Sequence, residues 1–403
     1  MVKSGTGGVG DQMLITLSDA MKNTLREGDT LARMGGDEFV AVLIDLESPA
    51  SCVPMLTRLL KAAATPASVG ALLLQCSASL GVTFYPQEQD IDADQLLRQA
   101  DQAMYQAKVA GKNRYHVFDA EQDTSTRARN ESLEQIRLAL EQGEFVLYYQ
   151  PKVNMRSGKV IGAEALIRWQ HPEKGLLAPA AFLPTIENHP LAVAVGEWVI
   201  NTALSQIERW HALGLELPVS VNIGAFQLQR SDFVERLKSI LAAHPQVSSS
   251  SLELEVLETS ALADMAQVSQ VIEDCGRIGV MFALDDFGTG YSSLSYLKRL
   301  RVNVLKIDQS FVRDMLDDPD DMAILEGIIG LAAAFRCQVI AEGVETVAHG
   351  TALLHLGCEL AQGYGIARPM PPDQLPAWAA SWQPNAAWGA VMNPGEASRS
   401  TDK

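Results

Sequence analysis

Val280-Met-Phe-Ala-Leu-Asp-Asp286 sets five apolar residues in front of two acids. A run this apolar reads as a strand buried on both faces, which leaves little solvent for a charge at its end. The same form recurs in both directions along the chain. Before it come Phe145–Tyr149, Val160–Ile167, Val219–Ile223 and Leu252–Val256; after it come Val304–Asp308, Val339–Glu342 and the weaker Ala361–Ile366. Helical patterns fill most of the gaps, as at Leu191–Leu213 and Met322–Phe335. The class is α/β, and eight strands alternating with helices over about 250 residues has the length and order of a (β/α)8, TIM-like barrel. A doubly wound open sheet shows a similar alternation, and the pattern alone leaves both standing. Such sheets usually carry a Gly-rich phosphate loop after the first strand, and none follows Tyr149.

Outside this region the 403 residues leave room for a second domain, at roughly 150 residues per domain. Apolar periodicity is lost from Asp119 to Asn130, so 119–133 reads as a linker, or the start of a polar connecting helix, between a smaller domain, 1–118, and the barrel, 134–381. The tail, 382–403, is rich in Pro, Ala and Gly and reads as frayed from Gln383 onward. A formal net charge of −17 repels polyphosphate, which argues against a nucleic-acid polymer as partner. Five dispersed cysteines without a CxxC pair read as small buried hydrophobes in a reducing compartment. No apolar run approaches the roughly 18–20 residues needed to cross a bilayer, and the first residues have no leader pattern. The chain as given is expected to be cytoplasmic, with no membrane segment.

In a barrel the strand ends converge on one mouth. Here they deliver Gln150, Glu164 with Arg168, Asn222, Glu255, Asp285 with Asp286, Lys306, Glu342 and Gln362. Singly, each is more often a rim residue or a helix cap; together they make a site. Glu253 and Glu255 lie two apart on one strand among Leu252, Leu254 and Val256, which is hard to explain as surface. Crowded carboxylates raise one another's pKa unless a cation compensates, and oxygen ligands without Cys or His favour Mg2+ or Mn2+. Two such ions suit in-line attack of water on a phosphodiester. Arg168 and Lys306 would add positive charge there, and a buried Lys306, between Leu305 and Ile307, needs acidic partners.

At Glu164-Ala-Leu166 the chain resembles EAL-type cyclic di-GMP phosphodiesterase domains, over residues 134–381. Ordered motifs carry the likeness: Tyr149-Gln-Pro-Lys-Val153, Glu164-Ala-Leu-Ile-Arg-Trp169, Val221-Asn-Ile223 and Glu255-Val-Leu-Glu258. They continue through Asp285-Asp-Phe-Gly-Thr-Gly-Tyr-Ser-Ser-Leu294, Leu305-Lys-Ile-Asp308, Ala341-Glu-Gly-Val-Glu345 and Gln362-Gly-Tyr364. The resemblance implies two Mg2+ or Mn2+ ions, one held by Glu164, Asn222, Glu255 and Asp285 and one by Asp285, Asp286 and Glu342. It implies that Lys306 stands at the attacking water, with Glu164, Lys306 and Glu342 as the catalytic set. Gln150, Arg168 and Gln362 would contact cyclic di-GMP, and the product would be linear pGpG. Glu258 and the 286–294 loop would couple metal occupancy to a homodimer contact, and Glu345 would support that loop. Leu257 stands where the family usually has Thr, a departure that bears on the loop more than on the ligands. The alternative is a non-catalytic cyclic di-GMP receptor, but degenerate receptors typically lose ligands and all six positions are present here.

Arg33-Met-Gly-Gly-Asp-Glu-Phe39, ahead of the apolar run Val40 to Leu43, is a hairpin signal with a Gly-Gly turn and two acids. With Ala100-Asp-Gln-Ala-Met-Tyr105 and Gly111-Lys-Asn-Arg-Tyr115 it resembles a GGDEF diguanylate cyclase domain. The resemblance puts Asp37 and Glu38 in the active-site turn and gives Arg26 and Asp29 the spacing of a product-binding site. The family's opening strand with its metal-binding Asp has no counterpart ahead of Val2-Lys-Ser-Gly-Thr-Gly-Gly-Val-Gly-Asp11. Gly5 to Gly10 lacks the preceding strand of a dinucleotide loop. This domain is therefore expected to be an incomplete α/β unit, structural or regulatory, without cyclase activity.

Overall fold

A computed structural model describes residues 9–69, 72–87, 90–289, 294–389 and 391, side chains at 69, 120–127, 262–263 and 294–296 excepted. The chain divides into two compact units, Met1–Ala128 and Arg129–Lys403. In the first, β1 (Thr30–Gly35) and β2 (Glu38–Val42) form the hairpin that the Gly-Gly pair announces. Gly36 sits at φ +54°, and the Arg33 guanidinium donates to its carbonyl oxygen at 2.7 and 3.0 Å, which closes the turn. Asp37 and Glu38 are exposed at its tip. β3 (Ala67–Val69) pairs antiparallel with β4 (Leu72–Leu74), and β5 (Leu80–Val82) pairs parallel with β6 (Tyr115–Val117). The helix Ala93–Val109 starts at an Asp92 cap, whose carboxylate accepts from Gln95 N at 2.7 Å.

The second unit begins with β7 (Phe145–Asn154) and β8 (Lys159–His171), which β9 (Gly175–Leu177) extends as a short hairpin. Then follow β10 (Val219–Asn222), β11 (Leu252–Leu257), β12 (Met281–Phe287), β13 (Val304–Ile307), β14 (Gln338–Ala341) and β15 (Leu360–Ala361). Seven of the eight apolar runs lie on strands, whereas of the weaker Ala361–Ile366 only Ala361 does, in the two-residue β15. β8 and β10 to β15 pair parallel in sequence, and β7 closes the ring between β15 and β8. The helices Leu191–Ala212 and Pro319–Phe335 lie where the sequence pattern puts them.

The first strand departs from a regular (β/α)8 order. β7 runs antiparallel to both its neighbours, because only Met155-Arg-Ser-Gly158 separates it from β8. A parallel pair needs a crossover of a dozen or more residues, so a connection this short fixes a hairpin. Gln150 consequently lies in mid-strand, opposite Glu164, and not at a C-terminal strand end.

On β11 the outward Leu252, Leu254 and Val256 are fully buried, while Glu253 and Glu255 take the opposite face. The tail also departs from expectation. Trp388, in the short helix Ala386–Gly389, is buried and donates from Nε1 to Val347 O at 3.0 Å. Its ring lies where a Cβ at Gly350 would come within 2.6 Å, so only glycine admits it. An indole with such a slot has more apolar surface to hide than a frayed end costs in entropy. The linker stretch belongs to a helix, Ala120–Gln142.

Candidate active site

Lys306, on β13, is fully buried, and its ammonium collects the acids of four other chain segments. Nζ lies 2.6 Å from Glu255 Oε2, 2.6 Å from Glu342 Oε1, 3.0 Å from Asp285 Oδ1 and 3.5 Å from Glu164 Oε2. Burial alone would drive the proton off, but the surrounding carboxylates outweigh it and hold the Lys306 pKa well above its ordinary value.

Glu164 is fixed from three sides. Its Oε1 accepts from Asn222 Nδ2 at 2.7 Å, and its Oε2 accepts from Gln362 Nε2 at 2.7 Å as well as facing Lys306. The Gln362 amide also donates to Gln150 Oε1 at 3.0 Å, and Gln150 Nε2 donates to Ala367 O at 3.0 Å. Gln362 Oε1 is buried without a hydrogen-bond partner. Gly363 follows it because a Cβ there would fall 2.3 Å from Val344 N and O.

Consecutive strand residues face opposite sides of a sheet, yet Asp285 and Asp286 both serve the mouth. The device is a register shift in β12 between Leu284 and Phe287, with Asp286 at φ +54°. A left-handed non-glycine residue costs about 1–2 kcal/mol, which the packing around it must offset. Asp285 and Asp286 then belong to two overlapping acidic groups, Glu164 with Glu255 and Asp285, and Asp285 with Asp286 and Glu342. Within each group the ligand atoms lie within 4.8 Å of one another.

These acids are not alike. Glu255 lies near about 2, because Lys306 and then Lys152 override the upward push of burial. Glu342 is driven by burial up to about 8, despite Lys306, with Asp285 and Glu164 adding to the rise. Burial also raises Glu164 and Asp285, and it raises Asp286 together with Asp308. Without further cations the crowding thus holds Glu342 well above the usual carboxylate range.

The remaining expected residues stand around this cluster. Arg168 is half-buried four residues along β8 from Glu164; its Nη1 donates to Ile167 O at 2.9 Å, and its guanidinium lies 5.7 Å from the centre of the Tyr148 ring. Glu258 is buried, and its Oε2 accepts from Gly288 N at 3.0 Å. Glu345 is exposed, and residues 290–293 of the loop it was expected to support lie outside the described residues. In the first unit Asp29 accepts from Arg26 N at 2.9 Å and from Ile44 N at 3.2 Å, while Arg26 itself is exposed.

Two residues near the acids escaped the sequence reading. Lys152 is buried, with Nζ 2.7 Å from Glu253 Oε1 and 3.3 Å from Glu255 Oε1. Asp308 stands beside Asp286 and caps the next helix, accepting from Ser310 N at 2.9 Å. A lysine two residues past Gln150 in a strand of apolar neighbours is the same signal that singles out Lys306.

The chain is similar to known proteins in sequence and in fold. A family model described as EAL domain matches residues 133–369, and one described as diguanylate cyclase, GGDEF domain, matches 7–114. MucR of Pseudomonas aeruginosa, named a bifunctional diguanylate cyclase/cyclic di-GMP phosphodiesterase, is 39% identical over 91% of this chain and 53% of its own length. PdeR of Escherichia coli, named a cyclic di-GMP phosphodiesterase, is 36% identical over 92% of this chain and 55% of its own length. The chain spans about half the length of these curated relatives. A solved structure of the PaMucR phosphodiesterase in a c-di-GMP complex matches with a TM-score of 0.58 and 42% identity, covering 61% of this chain and 99% of that one. Since the first of these family matches takes in more than half the residues and all the acids around Lys306, the chain belongs to the EAL domain family, with a GGDEF domain ahead of its barrel.

Proposed function

We propose that the barrel hydrolyses cyclic di-GMP to linear pGpG in a reaction that needs two Mg2+ or Mn2+ ions. The observation that carries the reading is the gathering of Glu164, Glu255, Asp285 and Glu342 around one buried ammonium. The donor set fits hard divalent cations: it is all oxygen, and its two acidic groups share Asp285. Among the described residues the acids gathered here, Glu253, Asp286 and the neighbouring Asp308 included, outnumber Lys152 and Lys306, an excess of negative charge that divalent ions would offset. Glu164, Asn222, Glu255 and Asp285 would hold one ion, and Asp285, Asp286 and Glu342 the other. When bound, the ions supply an activated water and neutralise charge building on the phosphoryl oxygens.

The chain's own groups do the rest. Lys306 Nζ donates to the attacking water and orients it toward phosphorus, opposite the bond to the leaving 3′ oxygen. That bond breaks as the new P–O bond forms, and the 3′ oxygen takes up a proton, which leaves a 5′-phosphate. Arg168 offers its guanidinium to the phosphate. Gln150 and Gln362 meet the polar edges of the substrate, and the free Gln362 Oε1 is an acceptor suited to an N–H of guanine. The test is hydrolysis of cyclic di-GMP with Mg2+ or Mn2+, with and without chelator, by the wild type and Glu164→Ala. Loss of turnover in both controls is expected, and unchanged turnover in either refutes the assignment.

The GGDEF unit is assigned a structural or regulatory part without condensation of GTP. Incubation with GTP and Mg2+ tests this, and any cyclic dinucleotide formed would overturn it.

A further inference from the structure

Lys152 takes no part in the reaction just described, yet it is built into the barrel with care. It is 4% exposed, and its Nζ donates to Ser220 Oγ, to Glu253 Oε1 at 2.7 Å and to Glu255 Oε1 at 3.3 Å. Ser220 Oγ donates to the same Glu253 oxygen at 2.6 Å. Ser220 and Glu253 face each other in the β10–β11 register, and both are buried. Opposite Lys152 on β8 stands Gly162, where a Cβ would come 3.4 Å from Lys152 Cε and 3.2 Å from Pro218 O. A side chain there would press on the Pro218 carbonyl and touch the lysine stem.

Glu253 already matches the charge of Lys152, so the contact to Glu255 is not needed to neutralise either. What that contact does is divide the Glu255 carboxylate. Oε1 faces Lys152, and Oε2 faces Lys306 at 2.6 Å. The terminal torsion of a glutamate is broad, so one partner alone leaves the carboxylate plane free to swing. Partners on opposite oxygens fix it.

We propose that Lys152 is a positioning residue for the metal centre: seated by Ser220 and Glu253, it pins Oε1 of Glu255 so that Oε2 faces the ions. This rests on the reading of the site as a divalent-metal centre. Groups that orient a ligand in this way typically change metal affinity about 10–100-fold when lost. An ion pair that merely held the barrel wall would instead be replaceable by apolar residues without effect on the ions.

Lys152→Met alone strands Glu253 in the interior, so the pair is replaced together, Lys152→Met with Glu253→Leu, in the full chain. Mn2+ binding is followed by the electron paramagnetic resonance signal of the free ion, folding by thermal melting, and turnover by kcat and KM for cyclic di-GMP. The melting temperature is expected to stay within a few degrees of wild type. The Mn2+ dissociation constant rises about tenfold. kcat falls while KM holds. In a Glu255→Gln background the same pair of changes weakens Mn2+ binding no further, because the group through which Lys152 acts is gone. A paired variant that binds Mn2+ as the wild type does, or that adds its full loss in the Glu255→Gln background, overturns the proposal. Should the paired variant unfold, Ser220→Ala decides: it keeps both charges, weaker Mn2+ binding supports the assignment, and unchanged binding overturns it. A wild-type chain that binds no Mn2+ removes the metal reading itself, an outcome distinct from a wild type that binds and a paired variant that binds equally.

Discussion

Replacing Lys306 by methionine keeps the length of the side chain and removes its charge from among Glu164, Glu255, Asp285 and Glu342. Breaking a buried ionic cluster by deleting one partner costs about 3–5 kcal/mol, because the partners left behind are uncompensated. At about 2–4 °C per kcal/mol for a unit of this size, the barrel should melt about 10 °C lower without metal. All six tryptophans lie between Trp169 and Trp388, so tryptophan fluorescence follows the barrel and not the GGDEF unit. The loss has a predictable pH dependence. Glu342 already titrates near about 8, and taking away Lys306 raises it and its neighbours further, so they stay protonated in acid at little cost. The deficit in Lys306→Met is therefore expected to be small at pH 5.5 and largest above pH 8 in chelator, and added Mg2+ should shrink it. An equal deficit at both pH values, or none in chelator, would show that the ammonium is not what holds these acids together.

Three other outcomes follow from the same structure. In the metal-free wild type Glu342 is raised from 4.5 to about 8, so the folded state binds the extra proton across that window and stability falls as pH rises through it. Glu255, lowered to about 2, acts in the opposite sense: its contribution is complete above 4.5 and is lost as pH falls toward 2. Melting curves in chelator should thus peak in mild acid and decline toward pH 9, with Mg2+ raising the melting temperature more at pH 8 than at pH 6; a flat profile would count against both shifts. Trp388→Ala should cost about 3–5 kcal/mol by circular dichroism melting, as for a large aromatic lost from a core, whereas a frayed tail would lose nothing. Asp286→Gly should relieve the positive φ, leave the melting temperature equal to or above wild type, and abolish Mn2+-dependent turnover; a marked loss of stability would mean that Asp286 is there for the fold.

Much of the site was legible because chemistry and periodicity coincide. Glu255, Asp285 and Lys306 break apolar strands with charges that only one another could satisfy, and the structure brings them together. The strands themselves were legible from their β-branched runs. What stayed hidden depends on backbone geometry. Nothing in Asp285-Asp286 announces that a left-handed residue turns both acids to one side, since aspartate in a strand is equally compatible with alternation. The buried Trp388 was missed because composition describes a tail, while burial depends on a slot more than thirty residues earlier at Gly350.

The direction of β7 was the most consequential omission, and Met155-Arg-Ser-Gly158 held the clue, as a polar Ser-Gly turn too short for a crossover. In β7, Gln150 pairs with Glu164 and Lys152 with Gly162. β8 runs toward the mouth, so Gly162 and Lys152 lie deeper than Glu164 and Gln150. Had β7 been parallel, the residue two positions after Gln150 would have stood nearer the mouth, with its ammonium in water. Reversal places it instead beside Glu253, one tier below Glu255 on the same face of β11. A single antiparallel strand thus lets Gln150 and Lys152 reach one carboxylate cluster from two heights, the amide at the level of Glu164 and the ammonium beneath it.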